Sequence, residues 1–246
     1  MKKSLLALLS LVLVSTVLAC TPVRTDYTVD EAFELMNDAI EVYLNAESFR
    51  ANYHGFYENE TYSAEERIDV RVRGSGTEDA IGRAEMTIDR GDSVFTAMNF
   101  YKGGYLYAKR VDNKGEDRSR YEETFAAFLE NYNPWIKKAV QKDKTQNITV
   151  VMDRSQIEVS FELSSDQVEA TFFVPSFLTS VRKATAKITF AHDLRLISIE
   201  VSYPGSIQTV LGEANYVVTF DKINQYVIIT QPAASELSTY APVTEE

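Results

Sequence analysis

The sequence predicts an α+β protein dominated by antiparallel β-structure, and three features point there. Apolar and polar residues alternate with period two along most of the chain, short Gly- and Asp-rich turns separate the runs, and helical spacing is confined to an opening segment and a mid-chain insertion. With 246 residues, 45% hydrophobic and 25% charged, the chain has material for a sizeable core in one or two domains.

The first element after the N-terminal region is a helix. Thr28-Val29-Asp30-Glu31 is a capping box, in which the threonine oxygen satisfies an early amide and Glu31 reaches back. Phe33, Met36, Ile40 and Tyr43, with Ala32, Leu35 and Ala39, then form a broad apolar stripe that ends near Asn45. From Ser48 the period changes to two. Phe49, Ala51, Tyr53 and Tyr57 alternate with Arg50, Asn52 and His54, and Ile68, Val70 and Val72 alternate with Arg67, Asp69, Arg71 and Arg73. Ala84, Met86 and Ile88, then Val94 to Tyr101 and Tyr105 to Val111, complete five strands with turns at Gly74-Ser75-Gly76, Asp89 to Asp92 and Gly103-Gly104. Such spacing predicts an antiparallel meander.

Ser119-Arg120-Tyr121-Glu122 reads as a second capping box ahead of Phe125, Phe128 and Leu129 at helical spacing, and Asn133-Pro134 as the start of a short helix carrying Trp135, Ile136 and Val140. Strands return at Ile148 to Met152 and Ile157 to Leu163. Ser164 to Gln167 caps a third helical piece broken at Pro175, although Val168 to Val174 also fits a strand. The closing strands are Ala186 to Phe190, Leu194 to Tyr203 after a His192-Asp193 turn, Tyr216 to Phe220, and Tyr226 to Thr230; Ala233 to Glu246 shows no period and reads as a loose tail.

Composition excludes several functions. Net charge is -11, and it becomes -13 without a leader whose only charges are Lys2 and Lys3, which disfavours nucleic acid as a partner. One cysteine and two histidines leave no intrachain disulfide and no Cys/His zinc site. His54 falls on a polar strand face and His192 in a turn, both readable as solvated side chains. No nucleophile elbow, phosphate loop, zinc helix or calcium loop is present, so the expectation is a non-enzyme without cofactor or metal.

Lys2-Lys3, an apolar run from Leu5 to Leu18 and Ala19-Cys20 have the order of a cleaved leader; the run is shorter than the ~20 residues that span a bilayer. Val17-Leu18-Ala19-Cys20 resembles the lipobox of bacterial lipoproteins. That resemblance implies a signal peptide over residues 1–19 and a diacylglyceryl group on Cys20, with anchoring to the extracytoplasmic face of the cell membrane, or to the outer membrane in a Gram-negative cell. Residues 20–27 would then be a tether, whose seven residues after Cys20 reach at most about 25 Å. The envelope type stays open.

The order of parts, with the ending Phe220-Asp221-Lys222-Ile223-Asn224-Gln225-Tyr226-Val227-Ile228-Ile229-Thr230-Gln231-Pro232 and the Gly103-Gly104-Tyr105-Leu106-Tyr107 hairpin, resembles the LolA/LppX-like half-barrel lipoprotein superfamily. The resemblance covers most of residues 28 to 232. It implies a curved antiparallel half-barrel sheet wrapping a few helices, with a lipid or other hydrophobic ligand held between them. Phe33, Met36, Ile40, Met86, Met98, Phe100, Phe125, Phe128 and Trp135 are the candidate ligand-lining residues, being large, apolar and on expected inward faces; all nine equally suit a filled core. The alternative is a dry-cored lipoprotein that contacts an envelope protein. Its candidate surface is the aromatic group Tyr53, Phe56, Tyr57, Tyr62, Phe100, Tyr101, Tyr105 and Tyr107, with Tyr57, Tyr62 and Tyr105 expected to be exposed. Arg67, Arg71 and Arg73 share a strand face that could meet lipid headgroups or simply pair with neighbouring acids.

Overall fold

A computed structural model describes residues 24–60, 63–174, 178–181, 183–207 and 210–243. The leader, Cys20 and Tyr62 lie outside the described residues.

Helix α1 (Val29–Leu44) begins at the capping box. Glu31 N–H donates to Thr28 Oγ1 at 3.2 Å, and Thr28 N–H donates to the Glu31 carboxylate at 2.8 Å. Two Arg24 N–H groups donate to the same carboxylate at 2.9 and 3.1 Å and, with the Thr28 bonds, hold its pKa down to about 2.

A meander follows, of β1 (Ser48–Asn59), β2 (Ser63–Arg73), β3 (Ile81–Asp89), β4 (Val94–Lys102), β5 (Tyr105–Asp112) and β6 (Gly115–Glu122). It has six strands instead of the expected five. Ser119 to Glu122 belong to β6 and form no capping box; helix α2 (Phe125–Tyr132) starts after Thr124, whose Oγ1 accepts from Ala127 N–H at 3.1 Å.

Asn133-Pro134 does not open a helix either. Residues 133–142 run as an irregular strap antiparallel to α1, held by Tyr43 Oη donating to Asn133, by the Asn37 amide exchanging bonds of 3.0 and 2.8 Å with the Val140 backbone, and by Lys142 on Asp30. After a 3-10 turn (Lys142–Lys144) come β7 (Thr145–Met152), β8 (Gln156–Ser164), α3 (Ser165–Thr171), β9 (Leu178–Val181), β10 (Lys183–Ala191), β11 (Leu196–Ile207) and β12 (Val210–Asp221). Helix α3 ends at Thr171, and Phe172 forms an isolated bridge with Ile136 of the strap.

All of the strands join one sheet in the order β13-β6-β5-β4-β3-β2-β1-β12-β11-β10-β8-β7, with β9 on β11. The pairings are antiparallel except the last, β13 (Ala241–Pro242) on β6. The sheet is open, with β13 and β7 at its ends. Its concave face holds α1, the strap, α2 and α3, which is the α+β half-barrel that the sequence resemblance implied.

The C-terminal region differs from expectation. Tyr226 to Thr230 are not a strand: residues 222–233 cross the outer face, where Val227 and Ile229 cover Ile81 and Phe100. Nor is the tail loose over its described length. A short helix, α4 (Ala234–Leu237), brings Tyr240 edge-on to Tyr107 at 5.6 Å, and β13 follows.

Helix α2 is seated by shape. Phe128 lies over Gly82 of β3 so closely that a Cβ there would stand 2.2 Å from the ring. Gly82→Ala is therefore expected to lift the helix and cost about 1–3 kcal/mol. Denaturant unfolding measures this, and a smaller loss in Gly82→Ala/Phe128→Leu than the two single variants sum to would locate the strain in that contact.

Candidate ligand-binding site

Strand register places each side chain on one face or the other. On the concave face, rows across the sheet read Val218, Tyr53, Ile68, Met86, Ala97 and, one step along, Tyr216, Gly55, Glu66, Ile88, Phe95. Directly opposed residues share a face. The concave positions of β8, β10, β11 and β12 are likewise apolar or aromatic wherever the side chains are described.

Seven of the nine candidate lining residues meet on this side. Phe33, Met36 and Ile40 point down from α1, and Phe128 and Trp135 from α2 and the strap, each at most 2% exposed. Met86 and Phe125 are half-buried at the seam between α2 and the sheet. Met98 and Phe100 are corrected: they alternate with the concave Ala97, Asn99 and Tyr101, so they stand on the outer face against the C-terminal segment.

The seam is aromatic. Phe125 packs against Tyr101 at 5.2 Å, Phe128 against Tyr132 at 5.1 Å, and burial pushes the Tyr132 hydroxyl up to about 12. Beside it the sole tryptophan, Trp135, stacks on Tyr53 with ring centroids 4.3 Å apart, and Phe173 stands edge-on to both. Trp135 Nε1 is buried and has no hydrogen-bond partner.

From β8 round to β4 one charged group interrupts the described part of this apolar surface, and beyond it Arg110 of β5, opposite Ala97, shares the concave face. Glu66 occupies a concave position on β2, opposite Gly55 of β1. Tyr57 Oη donates to its carboxylate at 2.9 Å and Tyr53 Oη reaches it at 3.5 Å, while the two hydroxyls also bond each other. Gly55 makes room for them, since a Cβ there would lie 2.2 Å from the Tyr53 hydroxyl. Burial raises the carboxyl pKa, partly offset by the two tyrosine bonds and Arg90. It also raises the Tyr53 and Tyr57 hydroxyls. Sequence reading missed this group, yet the signal was there: the parity of Ile68, Val70 and Val72 puts position 66 on the dry face.

The expected aromatic rim is not one surface. Tyr53, Tyr57 and Tyr101 face inward and are buried, whereas Phe56, Phe100, Tyr105 and Tyr107 lie on the outer face. Arg67, Arg71 and Arg73 share the outer face, and Arg67 and Arg71 pair with Glu65 and Asp69. Near them Asn52, His54, Arg67, Asp69, Val217 and Thr219 line an open depression of about 570 Å³. His54 is exposed there on Glu65. His192 is only half-buried in its turn and bonds the Asp153 carbonyl at 2.8 Å through Nε2.

Among the described residues, no helix is long and apolar enough to cross a membrane. No family model matches the chain, and no curated protein matches it. Its fold is similar to that of the lipoprotein LppX of Mycobacterium tuberculosis, at 12% identity and a TM-score of 0.48 over 81% of this chain and 98% of that one. LprF from Mycobacterium bovis is similar at 15% and 0.49, over 83% and 98%. A LolA superfamily protein from Nitrosomonas europaea is similar at 11% and 0.27, over 83% and 96%. The half-barrel architecture itself rests on the strand order and the position of the helices.

Because burial raises the Glu66 carboxyl, its charged form opposes folding. Its stabilising contribution is complete below the ordinary carboxylate range and is lost as pH rises through the raised value. Glu66→Gln keeps the shape and removes that loss. Its thermal midpoint relative to the parent should thus climb between pH 4 and pH 8; a difference that stays flat would refute burial as the dominant influence.

Proposed function

We propose that the chain is an extracytoplasmic lipoprotein, anchored through diacylglyceryl-Cys20, that binds a lipid or other hydrophobic ligand between its sheet and helices. The observation that carries this reading is the cover of the concave face. A broad apolar surface is closed on one side by an eight-residue helix seated on Gly82 and by an irregular strap, with Met86, Phe125, Leu129 and Tyr132 half-buried along the seam. Moving so short a helix exposes a continuous apolar trough while the sheet stays intact. The protein supplies binding and shelter, without covalent chemistry.

A second reading is favoured by a different observation. Phe33, Met36, Ile40, Phe128 and Trp135 are packed to near-zero exposure, which suits a dry core and a protein-binding role in the envelope. In that case the partner surface is on the outer face, with Phe56 and Val217, since Tyr57 is buried.

Native mass spectrometry with lipid extraction, on protein lacking residues 1–20, separates the two. Omitting Cys20 removes its own acyl group from the measurement. The expected result is a bound species of lipid mass that is lost on extraction. A clean apo mass, unchanged on incubation with a lipid extract, would overturn the carrier reading in favour of the dry-cored one.

A further inference from the structure

The open sheet has two ends, and they are built differently. At one end β6 carries Glu116, Asp117, Arg118, Arg120 and Glu122, and β13 pairs with it at Ser119 and Arg120. Charges and a covering strand both guard a sheet edge against further pairing. At the other end β7, Thr145-Gln146-Asn147-Ile148-Thr149-Val150-Val151-Met152, has no charged residue and is mostly β-branched. It pairs with β8 and packs against α1, and among the described residues no strand pairs with its other side. Val151 is 64% exposed, and Ile148, Val150 and Met152 are only half-buried at the rim of the concave face. Unpaired backbone groups flanked by such side chains form a template for one more strand.

The residues on and around β7 fit a second copy of themselves. Gln146 opposes Glu162 and Thr149 opposes Ser160, so Asn147 and Ile148 together span one residue of β8, with Asn147 at a φ of 54°. With that pair counted as one step, antiparallel self-pairing centred on Thr149 sets Thr149 against Thr149, Gln146 against Val151 and Thr145 against Met152, each pair on a single face. Ile148 meets Val150 on the concave side, so each copy covers the half-buried rim of the other. Beyond the strand, the same register sets Lys144 against Asp153 and Asp143 against Arg154, all four of them exposed. The two-fold axis repeats both pairs at the other end of the ribbon, with opposite charges facing each other throughout.

We infer that the free edge of β7 is a homodimer interface, in which two copies pair antiparallel about Thr149 and join their sheets into one. The inference stands whether or not the concave face takes a ligand. So short a strand buries little area, and the contact is weak in solution, with a Kd of about 10 µM. Anchoring at Cys20, as proposed above, would confine the copies to one surface, where a contact of that strength suffices.

Sedimentation velocity on protein lacking residues 1–20 tests the interface. The parent should pass from monomer to dimer between ~1 and ~100 µM, and a parent still monomeric at ~200 µM overturns the inference. Variants at the exposed Thr149 test the register. Thr149→Arg and Thr149→Glu each set like charges against each other across the axis and should weaken the dimer at least ~10-fold. Mixed in equal amounts, the two should form a heterodimer at least ~10-fold tighter than either homodimer, identified by its mass in native mass spectrometry. Such recovery requires that residue 149 face its own copy, and it also shows that both variants are folded. A parent dimer that Thr149→Arg and Thr149→Glu leave intact lies on another surface, and a mixture of folded variants without recovery has another register; either result refutes the inference. If circular dichroism shows that a Thr149 variant is unfolded, Asp143→Lys and Arg154→Glu decide instead. Each alone should weaken the dimer about 3-fold and the two together should restore it, whereas weakening that accumulates in the double variant refutes the inference.

Discussion

A curved sheet with an apolar inner face must be covered, and that requirement organises this molecule. The concave rows bring Val, Ile, Phe, Tyr and Ala from β7 round to β5, far more apolar surface than one helix can shield. Helix α1 covers one half through Phe33, Met36 and Ile40. The other half falls to α2, and the strap lies between them. Helix α2 is matched to its seat, with the Phe128 ring over Gly82, large against small. The strap's polar clips to Asp30, Asn37 and Tyr43 bracket the segment that buries Trp135 and Ile136.

The outer face solves a different problem. Over β1, β2, β8, β10 and β11 it is solvated, with Arg50 and Arg71 on Asp69 and Lys187 between Glu158 and Glu200. Exposed pairs of this kind contribute little stability, but they keep a broad sheet soluble. Over β3 to β5 the outer face carries an apolar patch of Ile81, Met98, Phe100 and Tyr107, which Val227, Ile229 and Leu237 of the C-terminal segment cover. Arg83 donates to the Thr230 carbonyl at 2.7 Å and Lys102 to Gln231 at 2.8 Å, so the cover is tethered at its polar edge.

Much of this was legible in the sequence. The capping box at Thr28, the alternation in β1 to β5 and the paired glycines at 103 and 104 each report a local physical preference that tertiary structure left in place. The misses have tertiary causes. Gly115 to Glu122 is polar at nearly every position because an edge strand needs little burial, so period-two patterning was absent. Val94 to Tyr101 is apolar on both parities because both faces are covered, and only pairing with β3 decides that Ala97 faces inward while Met98 and Phe100 do not. Glu66 is hidden for the opposite reason: it is one acid among the charges of its strand, and its meaning depends on which neighbours share its face.

The pairing of β1 with both β2 and β12 has a consequence for the order of folding. Arg50 finds Arg71 across a short hairpin but must wait for Asp221 to complete its other side. At synthesis rates of roughly 5–20 residues per second, β1 therefore presents an unpaired edge for about seven to thirty seconds after β2 has been made. During that interval Phe49, Tyr53 and Tyr57 border an incomplete sheet, exposed to pairing with any extended segment nearby. A strand at the middle of the finished sheet thus gains its second neighbour only after most of the chain has been made, and folding should be slow, non-local and most vulnerable to aggregation at a position that is afterwards well protected.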